Sequence, residues 1–138
     1  MHRDEETLTQ RECLPAIPSA VFRALTEPDV QAAWAGAQAS DTSAAGNSFT
    51  MFNEFISGRY LDLQPDRRIL AEWRTAEWPR DSPSSVVEIT LEERGEATEI
   101  ILVQSMIPPG LSETVKGDWI NRYWRPLRAY FEKMKHAK

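Results

Sequence analysis

The spacing of apolar and polar residues changes several times along the chain, and each change marks a different kind of element. Residues 5–14 place Thr, Leu and Cys at β-compatible positions and show no helical period before Pro15, which predicts a first strand. Pro18-Ser19 then opens a short helix through about Thr26, with Ala20, Val21, Ala24 and Leu25 forming an apolar stripe. Pro28 and Asp29 restart a second short helix that ends near Gly36 and turns Val30, Ala33 and Trp34 to one face. From Ala37 to Asn47 the chain is rich in Ala, Ser, Thr and Gly without a large hydrophobe, so a loop is expected, with room for a short edge strand and with mobility.

Alternation then takes over. Strands are predicted at about 49–55, 57–64, 68–75, 84–93 and 97–107, separated by Ser57-Gly58, Pro65-Asp66, the segment Trp78 to Pro83, and Arg94-Gly95-Glu96. Val87, Ile89 and Leu91 alternate with polar neighbours up to that last turn, which makes the final pair an antiparallel hairpin. Ile100 to Val103 is apolar on both faces, so a central strand covered on each side is expected there. Pro108-Pro109-Gly110 stops it.

The last pattern is helical: Trp119, Ile120, Tyr123, Trp124, Leu127, Tyr130, Phe131 and Met134 recur every three or four residues. Ser112 with Glu113, or Asp118, supply N-terminal signals, while Lys133, Lys135 and Lys138 suit the negative end of the helix dipole. Pro126 lies inside the pattern and is expected to kink or restart the helix. Antiparallel strands joined by short loops need one covered face, and this helix alone has the apolar surface to cover it. The expected fold is α+β: a twisted antiparallel sheet of about six or seven strands wrapped around a long C-terminal helix, with two short helices after the first strand.

A chain of 138 residues that is 41% hydrophobic has the size and apolar content for one core, so residues 1–138 are read as a single domain, ordered from about 5 to 134. The net charge of −5 removes the positive field that drives nonspecific nucleic-acid binding, and no nucleic-acid partner is expected. Charge is uneven: from Leu111 onward seven basic residues face three acidic, leaving +4 on a body of −9. Such a basic end suits a charged protein partner, or simply a solvated helix face. Cys13 is the only cysteine, which fits a reducing compartment; without an apolar leader or a membrane-length stretch, a cytoplasmic location is expected.

Three blocks in this order resemble the helix-grip domain at the C-terminal end of the activator of heat-shock protein 90 ATPase. Pro65, Ile69, Trp73-Arg74 and Trp78-Pro79 look like that family's proline turn, strand ending in Trp-Arg, and following Trp-Pro. Gly46, Phe49, Met51-Phe52 and Gly58 are similar to its glycine-aromatic strand. Ile107-Pro108, Glu113, Gly117, Trp119, Tyr123-Trp124 and Phe131 are similar to its last helix. Asn53 and Glu54 depart from the pattern where glycines are frequent, and Pro83-Ser84-Ser85 replaces the usual aromatic after Trp-Pro. The resemblance implies a co-chaperone-like module that binds heat-shock protein 90, expected here without the separate N-terminal domain of two-domain activators.

The chemistry-bearing residues are sparse. His2 and His136 are the only histidines, both terminal, so no triad, metal site or cofactor is expected, and no phosphate-binding glycine motif occurs. Cys13 is expected to be a buried structural thiol. Glu72 and Arg74 flank Trp73 and point away from it; with Glu77 and Glu88 nearby they read as a surface ion-pair ladder, or as a general acid or base if a cavity enclosed one. No residue is assigned a catalytic role. Five tryptophans are the unusual feature. They either fill the space between sheet and helix or line a ligand cavity there, in which case Trp34, Phe49, Met51, Trp73, Met106, Trp119 and Tyr123 would face a small hydrophobic molecule or lipid. Trp78, in a turn with Arg80 and near Arg74, is expected to be exposed as an anchor for a protein partner.

Overall fold

In the computed structural model, which describes residues 5–36, 46 and 48–136, the strands form one six-stranded antiparallel sheet. They are β1 (Glu6–Leu14), β2 (Ser48–Met51), β3 (Ile56–Gln64), β4 (Arg68–Thr75), β5 (Ser85–Arg94) and β6 (Ala97–Ile107), arranged β1-β6-β5-β4-β3-β2. Between β1 and β2 lie α1 (Pro18–Thr26) and α2 (Pro28–Ala35), the latter stopped by Gly36 at φ 67. The last element, α3, runs over 112–136. The expected loop at 37–47 lies outside the described residues apart from Gly46, whose N–H donates to the Tyr60 carbonyl at 2.7 Å. Lys138 lies outside them as well.

Alternation along the strands decides which face is dry. Ile69, Ala71 and Trp73 on β4, Val87, Ile89 and Leu91 on β5, and Ile100 and Leu102 on β6 are buried, and they meet Val115, Trp119, Tyr123, Trp124, Leu127 and Phe131 of α3. A large aromatic removes roughly 150–250 Å² from water, worth about 4–6 kcal/mol before the entropy of ordering it. The sheet therefore holds the helix chiefly through its rings, in the expected helix-grip arrangement. Ile101 and Val103 point to the opposite face and are only half-buried, so β6 is not covered on both sides as expected.

Three departures from regular geometry shape the ends of the core. β2 ends at Met51 rather than near 55, because Phe52, Asn53 and Glu54 take left-handed φ values of 56, 55 and 72 and return the chain into β3. Glycine adopts such angles freely, which accounts for its frequency here in the resembling family. In β6 an extra residue enters between Gln104, opposite Leu8, and Ile107, opposite Glu6. This bulge puts Met106 at φ 63 and turns its side chain outward. Finally, α3 does not restart at Pro126. It passes from α-helix (Ser112–Asp118) through a π-helical stretch (Trp119–Trp124) into α-helix again (Arg125–His136), with the Arg125 N–H donating to the Ile120 carbonyl. The wider turn comes just before Pro126, where a missing N–H and the ring would disturb a tight ladder. The first turn of α3 is capped from another element: Glu6 on β1 accepts the Ser112 N–H at 3.0 Å.

Candidate functional site

The space between sheet and α3 is the natural place for a ligand, and here it is occupied by side chains. Trp73 and Trp119 stack with ring centroids 5.4 Å apart, Trp119 stacks on Trp124 at 5.4 Å, and Tyr123 lies against Trp119 at 4.1 Å. A residual gap of about 30 Å³ remains among Phe49, Met51, Tyr60, Trp73, Trp119 and Tyr123. That is space for about two water molecules and well below the several hundred Å³ of a ligand cavity.

Polar groups inside the packing are matched to one another. Trp119 donates its indole N–H to Gln104 Oε1 at 2.7 Å; Gln104 Nε2 donates to Ser85 Oγ at 2.8 Å; and Ser85 Oγ donates to the Trp73 carbonyl at 2.6 Å. Gln104 and Ser85 are fully buried. Trp34 donates to the Ala24 carbonyl at 2.7 Å, Trp124 to Gln10 Oε1 at 2.9 Å, and Trp73 to the Tyr123 hydroxyl at 3.4 Å. The chain from Trp119 through Gln104 and Ser85 terminates on the Trp73 backbone carbonyl and contains no ionisable side chain. Neither Gln104 nor Ser85 belongs to the cavity set predicted from sequence; their signal is a polar residue at an inward position of an otherwise apolar alternation.

The predicted cavity set divides accordingly. Phe49, Met51, Trp73, Trp119 and Tyr123 border the gap. Trp34 is buried beside it, packing on Tyr123 at 5.6 Å and Phe52 at 6.3 Å. Met106 is elsewhere: the β6 bulge leaves it 39% exposed, which corrects its placement in the cavity. Trp78 is also corrected. It is 6% exposed and meets Trp73 edge-on at 5.8 Å, because the turn folds back over the sheet. Arg74 holds that turn, donating to the Ser82 carbonyl at 2.7 Å and the Pro79 carbonyl at 2.8 Å. Arg80 is exposed and is the member of this group that faces solvent. Cys13, expected inside, is exposed on β1.

Charged residues gather on the outer face and at the ends. Glu72 pairs with Arg59 at 3.5 Å and Glu88 with Arg68 at 2.6 Å, both across neighbouring strands. Arg122 places its guanidinium 4.2 Å from the Phe55 centroid and 5.4 Å from that of Phe52, and it pairs with Asp118 at 3.4 Å. Burial raises the Asp118 carboxyl above its ordinary range despite Arg122, with Glu77 acting in the same direction. Burial pushes the Tyr60 phenol up to about 12 and raises that of Tyr123 further. Among the described residues no group of three or more His, Cys, Asp and Glu is placed to hold a metal ion, and no helix is long and apolar enough to cross a membrane.

Comparison with known proteins gives a consistent result. The family described as Activator of Hsp90 ATPase homolog 1-like protein matches residues 15–132. The human protein "Activator of 90 kDa heat shock protein ATPase homolog 1" is 25% identical over 124 residues, which is 90% of this chain and 36% of that protein. The chain thus spans about a third of the length of this curated relative. An HSP90 activator from Plasmodium falciparum, PFC0360w, superposes with a TM-score of 0.84 at 18% identity, covering 91% of this chain and 96% of that one. CalU16 from Micromonospora echinospora superposes with a TM-score of 0.70 at 23% identity, covering 84% and 70%. At these identities the two structures speak for the fold alone.

Proposed function

The chain belongs to the family of Activator of Hsp90 ATPase homolog 1-like proteins, and from that premise we propose that it is a noncatalytic, cytoplasmic module that binds a heat-shock protein 90 chaperone and favours its ATPase-competent state. The observation that carries this reading is the filled interior: a gap of about 30 Å³ is far below the several hundred Å³ of a ligand cavity, which favours recognition at the surface. A carrier of a small hydrophobic molecule would first have to separate Trp73, Trp119 and Tyr123. Charge supports a macromolecular partner, since a segment of +4 follows a body of −9 and can steer an acidic surface toward α3.

The test is a titration of the chain against purified heat-shock protein 90 from the same source, with ATPase turnover measured in parallel. Association is expected to weaken as salt is raised through the range where the Debye length falls below about 10 Å. Arg80→Glu, at an exposed position, should weaken it without changing the melting temperature. Absence of both binding and ATPase stimulation at near-millimolar chain concentration would sink the proposal. Trp78→Ala is the wrong probe, because this ring belongs to the core.

A further inference from the structure

A second opening lies on the side of the molecule where α1 and α2 meet the C-terminal turns of α3. It is an open groove of about 450 Å³, within the roughly 300–1,000 Å³ of small-molecule clefts. Its apolar surface comes from three separate elements: Ile17 and Ala20 at the start of α1, Val30 on α2, and Phe131 and Met134 on α3. Ile17 is 50% exposed and Met134 57%, so two of the exposed large hydrophobics among the described residues converge on one groove. Methionine at such a wall adapts its shape to a guest.

The rim is charged. Arg23 and Lys135 border the groove along with Glu96 from the β5–β6 turn, two cations to one acid among the lining residues. Arg23 reaches Glu27 through Nε at 3.3 Å, and Lys135 forms no ion pair with any described residue. The groove is bordered by eleven residues, about half of the roughly 20–30 that each side of a stable protein interface contributes. A guest of matching size and charge is a single alkyl chain with an anionic head.

We propose that the groove between Ile17, Val30 and Met134 is a binding site for a free fatty carboxylate, with the alkyl chain on the apolar floor and the head group between Arg23 and Lys135. The site is separate from the aromatic interior. Longer chains bind better because each added methylene leaves water on entering the groove. Removing the opposing acid, Glu96, strengthens binding.

The methionines supply a direct readout. Met134 reports on the groove, Met51 on the interior gap and Met106 on an unrelated exposed site. With the full chain labelled at its methionine methyl groups, dodecanoate is added below its critical micelle concentration and the methyl resonances are followed by NMR. Saturable movement of the Met134 signal alone is expected, tighter for dodecanoate than for decanoate or octanoate. Dodecyltrimethylammonium, the cationic counterpart, should bind more weakly. Lys135→Glu should weaken dodecanoate by roughly fivefold and Glu96→Gln strengthen it about twofold, in keeping with exposed ion pairs. No Met134 response to millimolar dodecanoate, equal movement at Met106, primary movement at Met51, or indifference to Lys135→Glu would each overturn the proposal.

Discussion

Trp119 and Gln104 are joined by a 2.7 Å hydrogen bond from the indole N–H to Oε1, in a region that excludes water from both. The bond fixes the register of α3 on β6 at the centre of the domain. Packing alone would allow the helix to slide by a turn, since its apolar face is wide; a buried donor with one acceptor allows far less, because the unpaired alternatives are costly.

Gln104→Leu keeps the volume and removes the acceptor. It is expected to destabilise the chain by about 1–3 kcal/mol, the cost of a buried N–H left without a partner. Trp119→Ala should cost more, roughly 3–5 kcal/mol, by leaving a hole between Trp73 and Trp124. Urea unfolding of each variant measures both, and a loss below about 1 kcal/mol for Trp119→Ala would mean that the ring is not part of the core.

Two glycines should respond to alanine with opposite signs. A Cβ at Gly58 would lie 1.8 Å from the Glu72 carbonyl oxygen and 2.7 Å from the Phe49 ring, so the β3–β4 ladder would have to part. A loss of more than about 2 kcal/mol is expected. Gly117, inside the first segment of α3, has nothing within 4 Å of its Cβ position. Gly117→Ala should stabilise by about 0.5–1 kcal/mol through helix propensity, and a lower melting temperature for this variant would contradict the open space around it.

Glu54 holds a left-handed φ of 72 in the turn after β2. Glu54→Gly relieves that conformation while loosening the unfolded chain, and a net gain of about 0.5–1 kcal/mol is expected. Thermal unfolding at neutral pH decides the sign.

Alkali should unfold the domain through its buried phenols. Tyr60 has its pKa raised from 10.0 to about 12, and Tyr123 is shifted in the same direction, both by burial. A phenol that holds its proton more tightly when folded contributes stability that is complete below about pH 10 and is lost as pH rises through 12. The Tyr60 share is about 2–3 kcal/mol from the linkage relation. Melting temperatures measured from pH 9 to 12 should fall steeply, and Tyr60→Phe should flatten part of the slope; an unchanged slope would remove Tyr60 as a cause.

The linear pattern determined most of the fold by itself. Strands β4 and β6 and helix α1 lie where alternation, helical spacing and proline placed them, because those signals depend on neighbours within a few residues. The wide aromatic stripe required one helix to be enclosed, which is why the sheet-around-helix architecture was legible. What the tertiary structure alone decided was where individual side chains ended on that frame. Trp78 opens a turn whose later carbonyls, those of Pro79 and Ser82, are held by Arg74, so a residue that reads as exposed is drawn into the core. One extra residue in β6 reverses the direction of Met106, and a bulge of that kind is set by pairing with β1, some hundred residues away in sequence. The candidate cavity depended on whether five separated aromatics left space among themselves. Phe49, Met51, Trp73, Trp119 and Tyr123 could be named from the sequence, but the volume among them is a small difference between large packed volumes, and only the assembled structure fixes it.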